Sequence, residues 1–541
     1  MASLRCSLAR AFLLCSSVYQ VLSAPAAAVT PPGPTVTISS GIVEGTTIKL
    51  ANQPSVTAAA NAYLGVPFAQ SPPERFSPPQ AASSWSFPLQ AKALKPACIQ
   101  QFSGSGNTQA LTKQFFNNPL NPPPEESEDC LYLNIYTPPG VTSTSKKAVM
   151  FWIFGGNLQF GTGELAFYDG SSLAITQDVV VVTINYRTNI FGFSNSPEVP
   201  FRSQNSGFLD QRFALQWVQN NIAQFGGDPS RVMIFGESAG GESVKQLLAN
   251  PPSPLPFSSA ILESQNAVLT GNGLENYKQV LNNFNCADIV CLRKVSATDI
   301  KSYIESQSLA FPPVNGDGTA VSDVRASITS RKWANVPAML GSNLNEARVF
   351  LAVLGLSDGT TALNTVFDQL NITSDAVKNT IISQYAAQGI TDVLELLDRI
   401  VTDLVFTCTT SSLANYLALA GYTTYRYRYD GVFSTVSTFP NAGAYHTAEI
   451  PEVFGTYPLS NQFGTATQQQ IDLSAFMQKT WANFAKNPSG GVGWPEVLSF
   501  GNELGVLGYS GSSGLTVRSK LESDYPCPLY AGIEDLLGLS Y

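Results

Sequence analysis

The stretch that most constrains the fold runs from Arg231 to Gly241 and reads R-V-M-I-F-G-E-S-A-G-G. Val232 to Phe235 is a short apolar run that suits a buried strand. Gly236-Glu237-Ser238-Ala239-Gly240 then fits the pattern G-x-S-x-G, and Ser243 to Ala249 reads as helix. Glycines on either side of the serine let strand and helix approach closely. The turn between them holds Ser238 in a strained backbone with its Oγ exposed. An isolated match to this pattern is as easily an ordinary turn. Its weight here comes from the strand before it, the helix after it and the partner residues described below.

Other strand and helix signals alternate along the chain. Leu131 to Tyr136 alternates apolar with polar, Ala148 to Phe154 is a buried run, and Val179 to Ile184 is nearly all β-branched. Asp210 to Gln224 has helical periodicity, with Phe213, Leu215, Trp217, Val218 and Ile222 on the inner face. Further strands are expected at Ser259 to Leu262, Val336 to Gly341 and Tyr422 to Tyr429. A helix is expected at Gln468 to Lys486, and mostly helical segments at 270–330 and 360–420. Such alternation predicts an α/β fold with a central, mostly parallel sheet flanked by helices. No repeat or composition break marks a second domain, so residues 25–541 read as a single domain.

The first 24 residues stand apart. Arg5 and Arg10 precede an apolar stretch, Ala11 to Leu22, and the small residues Ser23, Ala24, Ala26 and Ala27 follow. This pattern predicts a secretory signal peptide over 1–24, cleaved between about Ala24 and Ala28, and an extracellular protein. Residues 25 to about 40 read as a mobile leader. Six cysteines remain beyond that segment: Cys98, Cys130, Cys286, Cys291, Cys408 and Cys527. An even number in a secreted chain suits three disulfides and leaves the pairing open. Asn371-Ile372-Thr373 is a glycosylation sequon. A single histidine and no C-x-x-C pair argue against a metal site, and no cofactor is implied. The formal charge of −9 disfavours nucleic acid and anionic membranes as partners.

Between Cys98 and Cys130 the chain is too polar for core and too aromatic for a plain linker. Phe102, Leu111, Phe115, Phe116 and Leu120 sit among Gly, Asn and Gln, before Pro122-Pro123-Pro124. Residues 98–130 read as a surface flap tethered at its base.

A serine hydroxyl needs a base to become nucleophilic, and histidine is the usual one. His446 is the only histidine, so if Ser238 is a nucleophile of this kind, His446 is its base. The blander reading is a capping or packing histidine. Its place after the serine follows the order Ser…acid…His of the nucleophile elbow. An acid that orients the imidazole should lie between them, past a strand end. Glu346 meets both conditions, and a solvated loop glutamate is the alternative; on position alone Asp317 and Asp323 stay open. The negative charge that develops on the substrate carbonyl needs backbone donors. The Ala239 amide is one, and the turn Gly155-Gly156-Asn157 after Trp152-Ile153-Phe154 fits the place of the others.

With these residues in view, the chain resembles the type-B carboxylesterase/lipase family. That family includes secreted fungal lipases, cholinesterases and the non-catalytic neuroligins, on the α/β-hydrolase fold. The likeness runs from about Gly41 to the C-terminus. It is carried by Glu128-Asp129-Cys130-Leu131-Tyr132-Leu133-Asn134, Asn185-Tyr186-Arg187, Asp210-Gln211, Asn221-Ile222 and Phe225-Gly226-Gly227-Asp228-Pro229. Val453-Phe454-Gly455, Trp481, Phe484-Ala485 and Trp494-Pro495 extend it. The resemblance implies Ser238 as nucleophile, Glu346 as acid and His446 as base, with Gly156, Asn157 and Ala239 as the oxyanion amides. It also implies the pairs Cys98–Cys130, Cys286–Cys291 and Cys408–Cys527, and structural salt bridges Arg75–Glu128 and Arg187–Asp210. The sequence departs from the family in three places. Asn157 replaces a glycine, Asn345-Glu346-Ala347 replaces Asp-Glu-Gly, and the flap has no tryptophan, which argues against a choline ester.

The resulting expectation is a secreted serine hydrolase acting on small-molecule or lipid esters through an acyl-enzyme. Phe115, Phe116 and Leu120 suggest a mobile tip that covers the Ser238 pocket in water and opens on transient contact with a lipid interface. Passive surface packing of the flap is the equal alternative. A catalytically inactive adhesion module of the neuroligin type is the competing function, and the oligomeric state is not legible.

Overall fold

The apolar runs become an eleven-stranded sheet. Its strands are β1 (Thr46–Lys49), β2 (Ala59–Pro67), β3 (Tyr132–Thr137), β4 (Lys147–Ile153), β5 (Val180–Ile184), β6 (Gly227–Glu237), β7 (Ser259–Glu263), β8 (Ala338–Asn343), β9 (Thr424–Tyr429), β10 (Leu504–Leu507) and β11 (Leu515–Arg518). This computed structural model describes residues 33–531, apart from 54–55, 105, 118–122, 267–270, 357–358, 371, 461 and 500–501. The 1–24 segment, its cleavage region, Leu120 and the Asn371 sequon therefore lie outside the described residues.

The spatial order is β11-β10-β9-β8-β7-β6-β4-β5-β3-β2-β1. From β5 to β10 neighbouring strands run parallel. The pairs at the two edges are antiparallel. This is the large mixed sheet, flanked by helices, of the α/β-hydrolase fold. The chain passes from β4 to β5 on one side, then returns to lay β6 on the other side of β4. Such a reversal opens a crevice at the carboxyl ends of the strands, where ligands bind in open α/β sheets. The glycine turn after β4, Ser238 after β6 and Glu346 after β8 all emerge on that edge.

Two apolar cores cover the sheet, one per face. Val149, Phe151 and Ile153 of β4 join one core, whereas Met150 and Trp152 of the same strand join the other. Side chains alternate along a strand, so a strand buried on both sides must be apolar throughout. That is why β3 is buried along almost its whole length, although its sequence alternates as a half-exposed strand would.

The structure corrects several expectations. The helix after the serine starts at Ala239, four residues before Ser243. Thr35–Ile38 lies within the stretch read as a mobile leader, yet it pairs antiparallel with Gly41–Glu44. Within the flap, Asn107–Phe116 is an α-helix. Phe102 is fully buried and stacks on Phe160 at 4.9 Å, so this part of the flap is core. The three disulfides are Cys98–Cys130, Cys286–Cys291 and Cys408–Cys527, the pairing the resemblance implied. Arg75–Glu128 and Arg187–Asp210 form the two expected ion pairs.

Candidate active site

Ser238 sits between β6 and the helix Ala239–Ala249 with φ 57° and ψ −122°. Its strain is held from three sides. Its N–H donates to Glu263 O at 2.9 Å, and its carbonyl accepts from Glu242 N at 2.9 Å. Gly240 presses on the end of β4, where an added Cβ would stand 2.0 Å from Ile153 O. Only glycine permits that approach, so the turn cannot relax outward.

Ala239 opens the helix, and its N–H has no acceptor within it. The positive end of the helix dipole points the same way. Across the crevice, Gly156 has φ 106° and Asn157 has φ 54°. Asparagine is among the few side chains that tolerate this left-handed region. Gly156, Asn157, Ser238 and His446 line one cavity, together with Phe116 and Phe350.

Glu346, buried two residues before the helix Arg348–Leu354, is the carboxylate brought to the histidine. Its Oε2 lies 2.7 Å from His446 Nδ1. Its Oε1 accepts from the Asn343 amide and from Ser264 Oγ, both at 2.6 Å. The histidine loop is tied to the same turn. Asn343 Nδ2 donates to Tyr445 O at 2.9 Å, and Asn345 N donates to Ala444 O at 3.0 Å. Phe350 and Phe406 pack on the ring at 5.1 and 4.8 Å between centroids. The other two carboxylates left open by position are used elsewhere. Asp317 accepts from the Thr319 and Ala320 amides, and Asp323 caps the helix Val324–Thr329.

The other edge of the imidazole meets an unexpected neighbour. His446 Nε2 is 3.0 Å from Glu237 Oε1. Neither atom makes a hydrogen bond among the described residues, so the contact is close but misaligned. Glu237 belongs to a buried group of acids. Strand register sets it beside Glu263 of β7, and Glu449 lies three residues after His446, just before the helix Ile450–Phe454. Burial, reinforced by Glu449, Glu346 and Glu263, holds the Glu237 carboxyl far above the usual carboxylate range. Glu263 is raised by burial and by Glu449, although Trp481 Nε1 donates to it at 2.8 Å. Glu449 is pushed up to about 8 by burial and by Glu346. Clustered acids out of water cannot all ionise, so these carry protons near neutral pH.

A second cavity adjoins the first, with an empty volume of about 740 Å³ including its open mouth. Phe116, Gly156, Phe160, Glu237 and Thr447 line both. The flap helix supplies part of the wall. Phe115 packs on Phe439 at 5.0 Å, and Phe116 lies 6.0 Å from Phe160 and 6.2 Å from Phe350.

Sequence reasoning missed Glu237, Glu263, Glu449, Ser264, Phe350 and Phe406. Glu237 stood inside the motif itself, and the spacing of Glu449 from His446 was a usable signal. The others come from separate segments, and nothing in the linear order linked them.

Residues 32–508 match the carboxylesterase family. Liver carboxylesterase 1 of Oryctolagus cuniculus is 34% identical, with 93% of each chain covered. Carboxylesterase 1D of Mus musculus is 33% identical over 90% of this chain and 91% of its own. Liver carboxylesterase of Sus scrofa is 34% identical over 88% and 89% respectively.

Proposed function

Because the chain belongs to the carboxylesterase family, serine hydrolases of carboxylic esters, we propose that Ser238, His446 and Glu346 carry out its reaction. The observation that supports this most is the 2.7 Å contact of Glu346 with His446 Nδ1, on a ring sharing a cavity with the strained Ser238. Glu346 fixes the tautomer that leaves Nε2 free to take a proton. In the structure that nitrogen faces Glu237. A small ring rotation as substrate binds brings it onto Ser238 Oγ, since catalytic hydrogen bonds often tighten only in the complex.

Ser238 Oγ then attacks the acyl carbon while His446 takes its proton. The oxyanion points at the amides of Gly156, Asn157 and Ala239. His446 returns the proton to the leaving alcohol, and water, activated by the same imidazole, releases the acid from the acyl-enzyme. The substrates are small-molecule esters. The aromatic wall from the flap favours acyl chains of lipid-like character, and transient contact with a lipid interface follows from it. The 1–24 segment supports secretion from the cell, and three disulfides fit an oxidising compartment.

A fluorophosphonate should label Ser238 alone, as read by peptide mass mapping. A folded but unlabelled protein would favour the adhesion reading. For the lipid reading, activity on a medium-chain triglyceride should rise sharply above its solubility limit. Phe115→Ser/Phe116→Ser should blunt that rise, and smooth saturation in both proteins marks a plain carboxylesterase.

A further inference from the structure

Thr447, the residue after His446, has φ 80°. For a β-branched side chain this is a true outlier, and such strain persists only where the surroundings enforce it. Among the described residues it is the sole β-branched one in the left-handed region. The chain places glycine at such angles nearby, at Gly443 with φ 63° and Gly455 with φ 70°. A glycine at 447 would remove the strain, so the threonine is kept for its side chain.

Thr447 lines both cavities, and its carbonyl is used by the Ile450 amide at 3.2 Å. Its hydroxyl makes no hydrogen bond among the described residues, and the residue is partly buried. The surrounding wall is largely apolar, with Phe116, Phe160 and Ile450 among its members. A hydroxyl with no protein partner on a cavity wall is free to hydrogen-bond a ligand. Position tells which part of the ligand. The leaving oxygen of an ester takes its proton from His446, so the alcohol lies beside the imidazole, within reach of the next residue.

We propose that Thr447 is a specificity-determining residue whose hydroxyl hydrogen-bonds the alcohol portion of the substrate. It selects esters whose alcohol carries a hydroxyl close to the ester oxygen, as glycol and glycerol esters do. This rests on the ester-cleavage reading of Ser238 and His446 above.

The test compares 2-hydroxyethyl butanoate with propyl butanoate, which differ by a hydroxyl in place of a methyl. Wild-type protein should prefer the former in kcat/KM. Thr447→Val keeps shape and strain but removes the hydroxyl, and should lower that preference by about tenfold, the worth of one neutral hydrogen bond. Thr447→Ser should keep the preference. Thr447→Gly should lose it and raise the thermal midpoint by releasing the backbone. An unchanged ratio in Thr447→Val, or an equal loss in Thr447→Ser, overturns the proposal. A lower midpoint in Thr447→Gly overturns its strain argument. Wild-type protein that cleaves neither ester and leaves Ser238 unlabelled by phosphonate overturns the ester-cleavage reading as well. Labelling of Ser238 with a flat ratio overturns this proposal alone.

Discussion

Two glutamates approach one imidazole from opposite edges, and they are built as opposites. Glu346, in the turn after β8, receives the Asn343 amide, Ser264 Oγ and His446 Nδ1. Glu237, at the end of β6, has an oxygen 3.0 Å from His446 Nε2, and that oxygen receives no hydrogen bond among the described residues. Donors aimed at a carboxylate stabilise its negative charge, whereas burial among other acids stabilises the proton. The same side chain thus faces the ring as a charge-stabilising partner on one edge and as a neutral acid on the other. The difference lies in the neighbours, and it leaves Nε2 without a strong competitor for the serine proton.

Removing the ring removes both partners at once, and the largest effect is expected there. His446→Ala should lower turnover of a p-nitrophenyl ester by at least about 10³-fold with the fold intact by circular dichroism. Near-normal activity would sink the mechanism, since the chain has no other imidazole. Glu346→Gln should cost about 10²-fold in kcat, because the amide presents a neutral group where the imidazolium needs a charge. Glu237→Gln should cost less than about tenfold, since glutamine copies the shape and neutrality of the protonated acid. If the two glutamine variants fall equally, the contrast between the edges is false.

The smallest effect extends the contrast to stability. Glu164, Glu449 and Glu452 are each pushed up to about 8 by burial, from 4.5. The native protein keeps protons that the unfolded chain releases between those values. Their contribution is therefore fully present below about pH 4.5, declines as pH rises and levels off above about 8, at on the order of 1 kcal/mol per pH unit for each group. Urea unfolding at pH 5, 6.5 and 8 should show this decline. Glu452 accepts from Gln470 Nε2 at 2.7 Å, away from the ring, and Glu452→Gln should flatten the slope by one group's share. An unchanged slope would mean that Glu452 is ionised in the fold.

Legibility followed chemistry that is local in the chain. The elbow could be read because strand, glycines, serine and helix are contiguous. His446 could be read because the chain has one histidine. Glu346 stood beside Asp317 and Asp323 until the ends of β8 and the histidine loop were seen joined by Asn343 and Asn345. The flap was read as surface because its composition is polar. Its aromatic residues find partners far away in sequence, with Phe115 on Phe439 and Phe116 on Phe350.

The sequence by itself determined the strands, the strained serine, the single histidine and the α/β class, because each depends on neighbours within a few positions or on a count of one residue type. Tertiary structure alone decided which carboxylate meets the histidine, which acids keep their protons and which side chains wall the cavity. Those outcomes depend on strand register and on burial. Register places Glu237 beside Glu263, and burial removes the water that would otherwise let both ionise.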